Sequence, residues 1–186
     1  MAEKALAEAV RLFAEKMAQG RYKEAAKIRE EHALPLDMLR DAATREYSRL
    51  LGLGEYSLAA DLAKEYGLSE KLMRDAASRS FSRKVDGEHY RAAAEYAKEF
   101  GLPSEMIREA ATQAFKKSMD YGLAKNAAEI AVSFELPDYM RIEAAEKAYS
   151  MFMDSGLYNK ALKIAQKYEL SEDLIRDAET KAKGRR

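Results

Sequence analysis

The feature that most constrains this chain is a 34-residue repeat that runs through it with no residue inserted between copies. An arginine column shows the spacing, since Arg40, Arg74 and Arg108 are followed at the same interval by Ile142 and Arg176. Small residues and aromatic rings form two further columns in this register, Ala42, Ala76, Ala110, Ala144 and Ala178 for the first, and Phe13, Tyr47, Phe81, Phe115 and Tyr149 for the second. Copies that agree in this many columns indicate one recurring supersecondary unit, because chance composition does not produce such agreement.

Each copy is predicted to contain two helices, because its apolar residues recur at helical spacing and its helix breakers stand at two fixed points. In the fourth copy, Ala111, Phe115 and Met119 form a stripe on the first helix, and Gly122 interrupts it. Glycine can adopt the left-handed conformation that ends a helix, so Gly122 marks the first junction. The same column holds Gly20, Gly54 and Gly156.

The second junction of each copy is a leucine followed by proline or serine. Proline in the first turn, or serine as an N-cap, starts a helix, and the preceding leucine can pack against it as a hydrophobic staple. The five pairs are Leu34-Pro35, Leu68-Ser69, Leu102-Pro103, Leu136-Pro137 and Leu170-Ser171. The next copy therefore begins at these positions.

Neither helix of a copy can bury its apolar stripe alone, so the copies are predicted to stack and share a continuous core. We predict an all-α fold, a right-handed α-solenoid of five helix-turn-helix repeats with a C-terminal capping helix. The predicted single domain covers residues 1–186, with repeats at about 3–39, 40–73, 74–107, 108–141 and 142–175 and a cap at 176–183. Of eleven predicted helices, the last runs from about Glu172 to Lys183, and its polar Glu179 suits a solvated outer face.

Composition sets the class of protein. The 32 basic and 32 acidic residues cancel and the estimated pI is 6.8, so no overall charge attracts nucleic acid or an anionic membrane. The first eight residues carry charges and lack the apolar run of a secretory signal, and we expect a soluble, cytoplasmic protein. Cysteine is absent, which excludes disulfides and thiolate chemistry. The few asparagines among many charged residues are typical of proteins from hot environments.

The motif Gly-x-Tyr-x-x-Ala occurs at Gly20–Ala25, Gly54–Ala59 and Gly156–Ala161. In this motif the chain resembles the tetratricopeptide-repeat superfamily. With two helices in each 34 residues, the resemblance covers nearly the whole chain. In that family an aromatic residue follows the glycine after nine positions and a small residue after twelve, whereas here the order is inverted, with Ala63 and Tyr66 after Gly54. The resemblance implies a concave groove that binds peptides or proteins, but it carries over no clamp residues.

Several apolar residues break the repeat at columns that are otherwise polar, all within residues 108–170. They are Tyr121, Leu123, Val132, Tyr139, Ile142, Met151, Phe152 and Leu157. An apolar side chain in an exposed column lowers solubility unless a partner covers it, so these residues are predicted to form a surface for a partner or for self-association. The alternative is a local rotation in which Arg141 and Ile142 exchange places and Ile142 becomes buried.

Basic residues form a second candidate surface, a stripe of Arg45, Arg49, Arg79, Arg83 and Lys117. Such a stripe can bind an acidic peptide or RNA, because arginine and lysine form charge-assisted contacts with carboxylate and phosphate. The alternative is helix-surface ion pairing, since acidic residues precede several of these positions by four. The neutral total charge favours ion pairing.

Catalytic chemistry finds no support in the sequence. His32 stands in an aromatic column and is predicted to be a partly buried core residue, whereas His89 is predicted to be exposed at the start of a helix. Neither histidine has a ligand partner at metal-binding spacing, and no phosphate loop or nucleophile motif is present. We therefore predict no catalytic residues, no cofactor-binding residues, no metal site, no cofactor and no enzymatic activity.

These observations favour a non-enzymatic scaffold that binds a peptide or helix of a partner protein along a groove. An RNA-binding helical-repeat protein is one alternative, although nucleic acid is not the expected partner of a neutral chain. A homo-oligomeric structural element is the other alternative. No association with a membrane is expected.

Overall fold

The computed structural model describes residues 2–184, and this part of the chain is all-helical, with eleven α-helices and no strand. Residue 1 and residues 185–186, the ends of the predicted domain, lie outside the described residues. The helices are α1 (Ala2–Ala18), α2 (Tyr22–Glu31), α3 (Leu36–Gly52), α4 (Tyr56–Glu65), α5 (Glu70–Asp86), α6 (Tyr90–Glu99), α7 (Ser104–Asp120), α8 (Ala124–Ser133), α9 (Asp138–Asp154), α10 (Tyr158–Lys167) and α11 (Glu172–Lys183). The all-α prediction and the predicted bounds of the last helix are confirmed.

Helix length alternates along the chain. The odd-numbered helices from α1 to α9 have 17 residues each, and the even-numbered helices have 10. At a rise of about 1.5 Å per residue, a long helix spans about 25 Å and a short one about 15 Å. A long helix therefore extends beyond the short helix that follows it.

The turn between a long and a short helix is closed by a residue in the left-handed conformation. Gly20, Gly54, Gly122 and Gly156 have φ values between 68° and 75°, as the sequence predicts. At Gly122 the turn is fixed by the N–H of Leu123, which donates to the carbonyl of Ser118 over 2.8 Å, the long-range bond of a Schellman motif. Leu123 is thereby held at the entry to α8.

The second junction begins each long helix one residue after the predicted breaker. Pro35, Pro103 and Pro137 lie at the N-cap position with φ near −50°, where the missing N–H of proline costs no hydrogen bond. At the equivalent serine, Ser69, the hydroxyl accepts a bond from the N–H of Leu72 over 3.4 Å. The predicted role of this column in starting helices is confirmed.

The chain divides into two compact units, of which the first comprises residues 1–83 and 99–102. Within it α1 packs on α2, α2 on α3 and α3 on α4, in sequence order. Ala25, Ala42 and Ala59 are fully buried, because alanine lets neighbouring helices approach closely. The hydroxyl of Tyr47 donates to the carbonyl of Leu72 over 2.8 Å and so ties α3 to the start of α5.

The second unit comprises residues 84–98 and 103–186, described to residue 184. Helices α7 to α11 pack successively on one another. Its core alternates alanine pairs with buried rings, among them Phe115, Tyr149 and Tyr168. The hydroxyl of Tyr149 donates to the carbonyl of Leu174 over 2.9 Å, which fixes α9 against α11.

One predicted core residue is not in the core. His32 is exposed, whereas the equivalent Phe100 and Tyr168 are buried. His32 is the C-cap residue of α2, and its polar ring remains in solvent there. The prediction that His32 is partly buried is therefore wrong.

Candidate functional site

The apolar residues that break the repeat lie mostly on the surface. Seven of the eight are exposed, Tyr121 to 70% and Tyr139 to 68%, and the eighth, Phe152, is half-buried. Exposed rings and aliphatic side chains of this size are costly in water when they cluster. Their arrangement therefore decides whether they form one site.

Five of the eight line three concavities at equivalent repeat positions of the second unit, which we together call the groove. Its first concavity, of about 450 Å³, contains Tyr121 and Leu123. The second, of about 180 Å³, contains Leu123, Met151 and Phe152, and the third, of about 310 Å³, contains Leu157. Leu123 and Asn126 line both the first and the second, so these two adjoin.

Each concavity lies between the start of a short helix and the second half of the helix that follows it. The helix pairs are α6 and α7 for the first, α8 and α9 for the second, and α10 and α11 for the third. Ala114 lines the first concavity, Ala148 the second and Ala182 the third, all at one column of the repeat. The same column carries buried polar residues in the first unit, Glu46 and Ser80. Small apolar residues at this column therefore give the groove of the second unit an apolar floor.

Polar partners accompany Glu46 and Ser80. The carboxylate of Glu46 accepts two bonds of 2.7 Å from the guanidinium of Arg49. The hydroxyls of Ser80 and Ser57 lie 2.6 Å apart. Buried polar groups need hydrogen-bond partners, and both of these side chains find theirs within the first unit. At these two positions the first unit therefore has paired polar groups and no apolar floor.

Ala124 opens the second concavity. Its column holds Tyr22, Tyr56, Tyr90 and Tyr158 elsewhere, and Ala124 itself is only 1% exposed. Phe152 replaces smaller or polar side chains at its own column and lines the same concavity as Ala124. This concavity has a volume of about 180 Å³.

Met151 replaces a cation that anchors the equivalent turn elsewhere. The guanidinium of Arg83 donates to the carbonyl of Gly54 over 2.9 Å, and the ammonium of Lys117 donates to the carbonyl of Glu88 over 3.2 Å. Methionine cannot donate such a bond. Met151 is 45% exposed at the rim of the second concavity, so its thioether is accessible to a partner.

Charges around the first concavity neutralise one another. The ammonium of Lys117 lies 2.9 Å from the carboxylate of Glu88, and Arg91 pairs with Glu95 over 3.0 Å. The hydrogen bond from Lys117 holds the pKa of Glu88 below its usual range, and the same bond raises the pKa of Lys117. This concavity therefore presents apolar and aromatic surface with little net charge.

Three of the predicted residues lie away from the groove. Val132 is near the end of α8, and Tyr139 and Ile142 are near the start of α9. Ile142 is 38% exposed, whereas Arg141 is half-buried and donates from Nη1 to the carbonyl of Tyr168. The alternative in which a rotation buries Ile142 is therefore wrong, because the guanidinium of Arg141 is engaged at the end of α10 and keeps the inner position.

Every residue of the predicted basic stripe has a hydrogen-bond or ion-pair partner within the chain. Arg45 pairs with Asp41 and Arg79 with Asp75, each over 3.2 Å. Arg49 binds Glu46, while Arg83 and Lys117 bind turn carbonyls. These contacts support the ion-pair interpretation for Arg45, Arg49, Arg79 and Lys117, which have acidic partners, whereas Arg83 only donates to a neutral carbonyl.

Sequence reasoning missed several residues of the groove, namely Tyr90, Ala114, Ala124, Lys125, Asn126 and Lys160. Ala124 had a visible signal, since it is the one substitution in a tyrosine column. Lys125 and Lys160 had none, because lysine on a helix surface is unremarkable without knowledge of the neighbouring helix.

Among residues 5–184, whose side chains the structure describes, no three His, Asp or Glu side chains are placed to hold a metal ion. Nor does any helix described there have the length and apolar character needed to cross a membrane. His89 lines the first concavity of the groove, and His32 belongs to the other unit.

Comparison with protein families, curated proteins and solved structures finds no match to this chain.

Proposed function

We propose that this protein is a non-enzymatic scaffold that binds a peptide or a helix of a partner protein in the groove of the second unit. The proposal includes the architecture expected from the repeat, a right-handed tetratricopeptide-like α-solenoid of five repeats and a cap. One observation carries the binding function. Leu123, Met151 and Phe152 each depart from the repeat toward apolar character, and all three line the same concavity.

The chemistry of the lining supports binding by burial of apolar surface. Leu123 and Met151 are each about half exposed, at 51% and 45%. Covering what remains exposed stabilises a complex by about 1 kcal/mol for each side chain, which is about half of the roughly 1.5–3 kcal/mol for complete burial. Two or three such side chains with a ring from Tyr121 offset part of the entropy lost on association, which suits a reversible complex.

Substitutions that restore the repeat test this proposal without adding foreign chemistry. Ala124→Tyr returns the ring found at four equivalent positions and fills the second concavity. Met151→Lys returns the cation found at the equivalent Lys117. Both variants are expected to keep the helical circular dichroism of the parent chain.

Val132→Lys provides the matched control. It also replaces an exposed apolar residue by the lysine found at equivalent positions, but it lies outside the groove. Peptides selected on the unmodified chain from a phage-displayed random library are the probe, and fluorescence anisotropy gives their affinities. We expect Ala124→Tyr and Met151→Lys each to weaken binding at least tenfold and Val132→Lys to leave it unchanged. Equal affinity for all four proteins, or selection of no peptide, would refute the proposal.

A further inference from the structure

We infer that the groove accepts an acidic amphipathic segment, one that places a leucine-like or phenylalanine-like side chain beside aspartate or glutamate. The inference rests on the proposed function and specifies the chemistry of the partner. It is carried by the charges that border the second and third concavities of the groove.

Lysine is the charged residue at both of these concavities. Lys125 lines the second together with Leu123 and Met151. Lys160 lines the third together with Leu157. Among the described residues, no Asp or Glu lines either of them. Positive charge therefore borders apolar surface directly, and a ligand complementary to both must be apolar and anionic.

Lys160 brings the charge and the apolar surface together at one point. Its Nζ lies 5.9 Å from the centroid of the Phe152 ring, which belongs to the second concavity. Among the side chains that the structure describes, those of residues 5–184, no carboxylate is paired with this ammonium at ion-pair distance. A partner carboxylate that binds Lys160 therefore lies beside the side chain that enters the second concavity.

Lys125 is only partly neutralised by the chain. Its Nζ lies 3.9 Å from Oε1 of Glu129, and the same oxygen lies 3.8 Å from Nζ of Lys167. One carboxylate thus faces two ammonium groups, which leaves a net positive charge. Exposed pairs at such distances are weak, so a partner carboxylate can compete with Glu129 for Lys125.

The helix ends at these concavities have the same sign. Leu123 and Leu157 occupy the N-cap positions of α8 and α10 without a side-chain hydrogen bond, and neither helix has an acidic residue in its first turn. The partial positive charge of a helix N-terminus therefore adds to that of the lysines. The first concavity differs, because Glu88 and Glu95 already balance its cations. Acidic residues of the partner are thus expected at the second and third concavities.

Selection from a phage-displayed random-peptide library tests the inference, with the full chain as bait. Parallel selections use a Lys125→Glu and Lys160→Glu double variant and a Lys163→Glu control. Lys163 is exposed on α10 but lines none of the three concavities. The net charge of the enriched peptides is read by sequencing. The tightest peptide and its amide version, with each Asp or Glu changed to Asn or Gln, are then compared by fluorescence anisotropy.

We expect the parent chain and the control to enrich acidic peptides and the double variant to lose that preference. The amide version of the peptide should bind the parent chain about threefold to tenfold more weakly, as expected for loss of two exposed ion pairs. Groove-dependent peptides without acidic excess, or equal affinity of the carboxylate and amide versions, would overturn the inference and leave the proposed function intact. Peptide enrichment on the parent chain no greater than on the Ala124→Tyr and Met151→Lys variants would overturn both the inference and the proposed function.

Discussion

Non-glycine residues in the left-handed conformation are places where this protein is expected to gain stability. At the junction after the short helices, Gly67 and Gly101 have φ values of 60° and 59°. The same column holds Glu135 with φ of 52° and Glu169 with φ of 56°. An L-residue with a Cβ pays about 1–2 kcal/mol for this conformation, whereas glycine does not.

Glu135→Gly is the perturbation that isolates the effect. The substitution removes about 1–2 kcal/mol of backbone strain. It also makes the unfolded chain more flexible, which costs about 0.4–1 kcal/mol. The net expectation is a stabilisation of about 0.5–1 kcal/mol. With a urea dependence of about 2 kcal/mol per molar, the midpoint of unfolding should rise by about 0.3–0.5 M.

Gly101→Ala is the reciprocal control. A Cβ added at Gly101 meets no heavy atom within 4 Å, so any loss of stability comes from the backbone conformation and not from a clash. We expect this variant to unfold at a lower urea concentration, by a similar amount. Glu135→Gly that leaves the midpoint unchanged, together with a neutral Gly101→Ala, would refute the reasoning.

Two further predictions concern side chains of the second unit, the hydroxyl of Tyr168 and the carboxylate of Glu88. Tyr168→Phe removes a buried hydroxyl that has no hydrogen-bond partner. The midpoint temperature of unfolding should therefore stay unchanged or rise, by up to the equivalent of about 1 kcal/mol in the free energy of unfolding. A clear loss of stability would show that the hydroxyl is paired in solution. The hydrogen bond from Lys117 lowers the pKa of Glu88, so this carboxylate contributes stability above its unfolded pKa of about 4.3 and loses that contribution as pH falls through its lower folded pKa. An NMR pH titration of the Glu88 carboxyl carbon should show a midpoint below the usual range that moves back up in Lys117→Met, and an unchanged midpoint in that variant would contradict the assignment.

Much of the fold could be predicted from the sequence, because its signals are local. Gly20, Gly54, Gly122 and Gly156 mark turns through their own backbone freedom, and the structure places each at positive φ. The last helix begins and ends at the predicted Glu172 and Lys183 for similar reasons, with Ser171 before it and Gly184 after it. Periodicity of apolar residues then identifies which face of each helix is buried.

The remainder depends on which side chains of different helices meet. Glu88 adopts the left-handed conformation without being glycine, and it does so where its carboxylate binds Lys117 from another helix. Arg141 takes an inner position because the carbonyl of Tyr168 is within reach. Neither contact can be read from spacing along one helix.

The groove itself was predicted in part. Departures from the repeat identified Leu123, Met151 and Phe152, which the structure brings into one concavity. The same criterion also selected Tyr139 and Ile142, which lie at the other end of their hairpin, since column statistics do not distinguish the two ends. The size of the concavity could not be predicted, because it depends on how side chains of two helices, among them Phe152 and Ala124, pack beside each other.

A crystal structure of the full chain with the tightest selected peptide tests the groove most directly. We predict that an apolar side chain of the peptide enters the second concavity and contacts Leu123, Met151 and Phe152, with a peptide carboxylate at Lys160. A peptide bound instead at Val132 and Ile142, with the second concavity unchanged, would contradict the account.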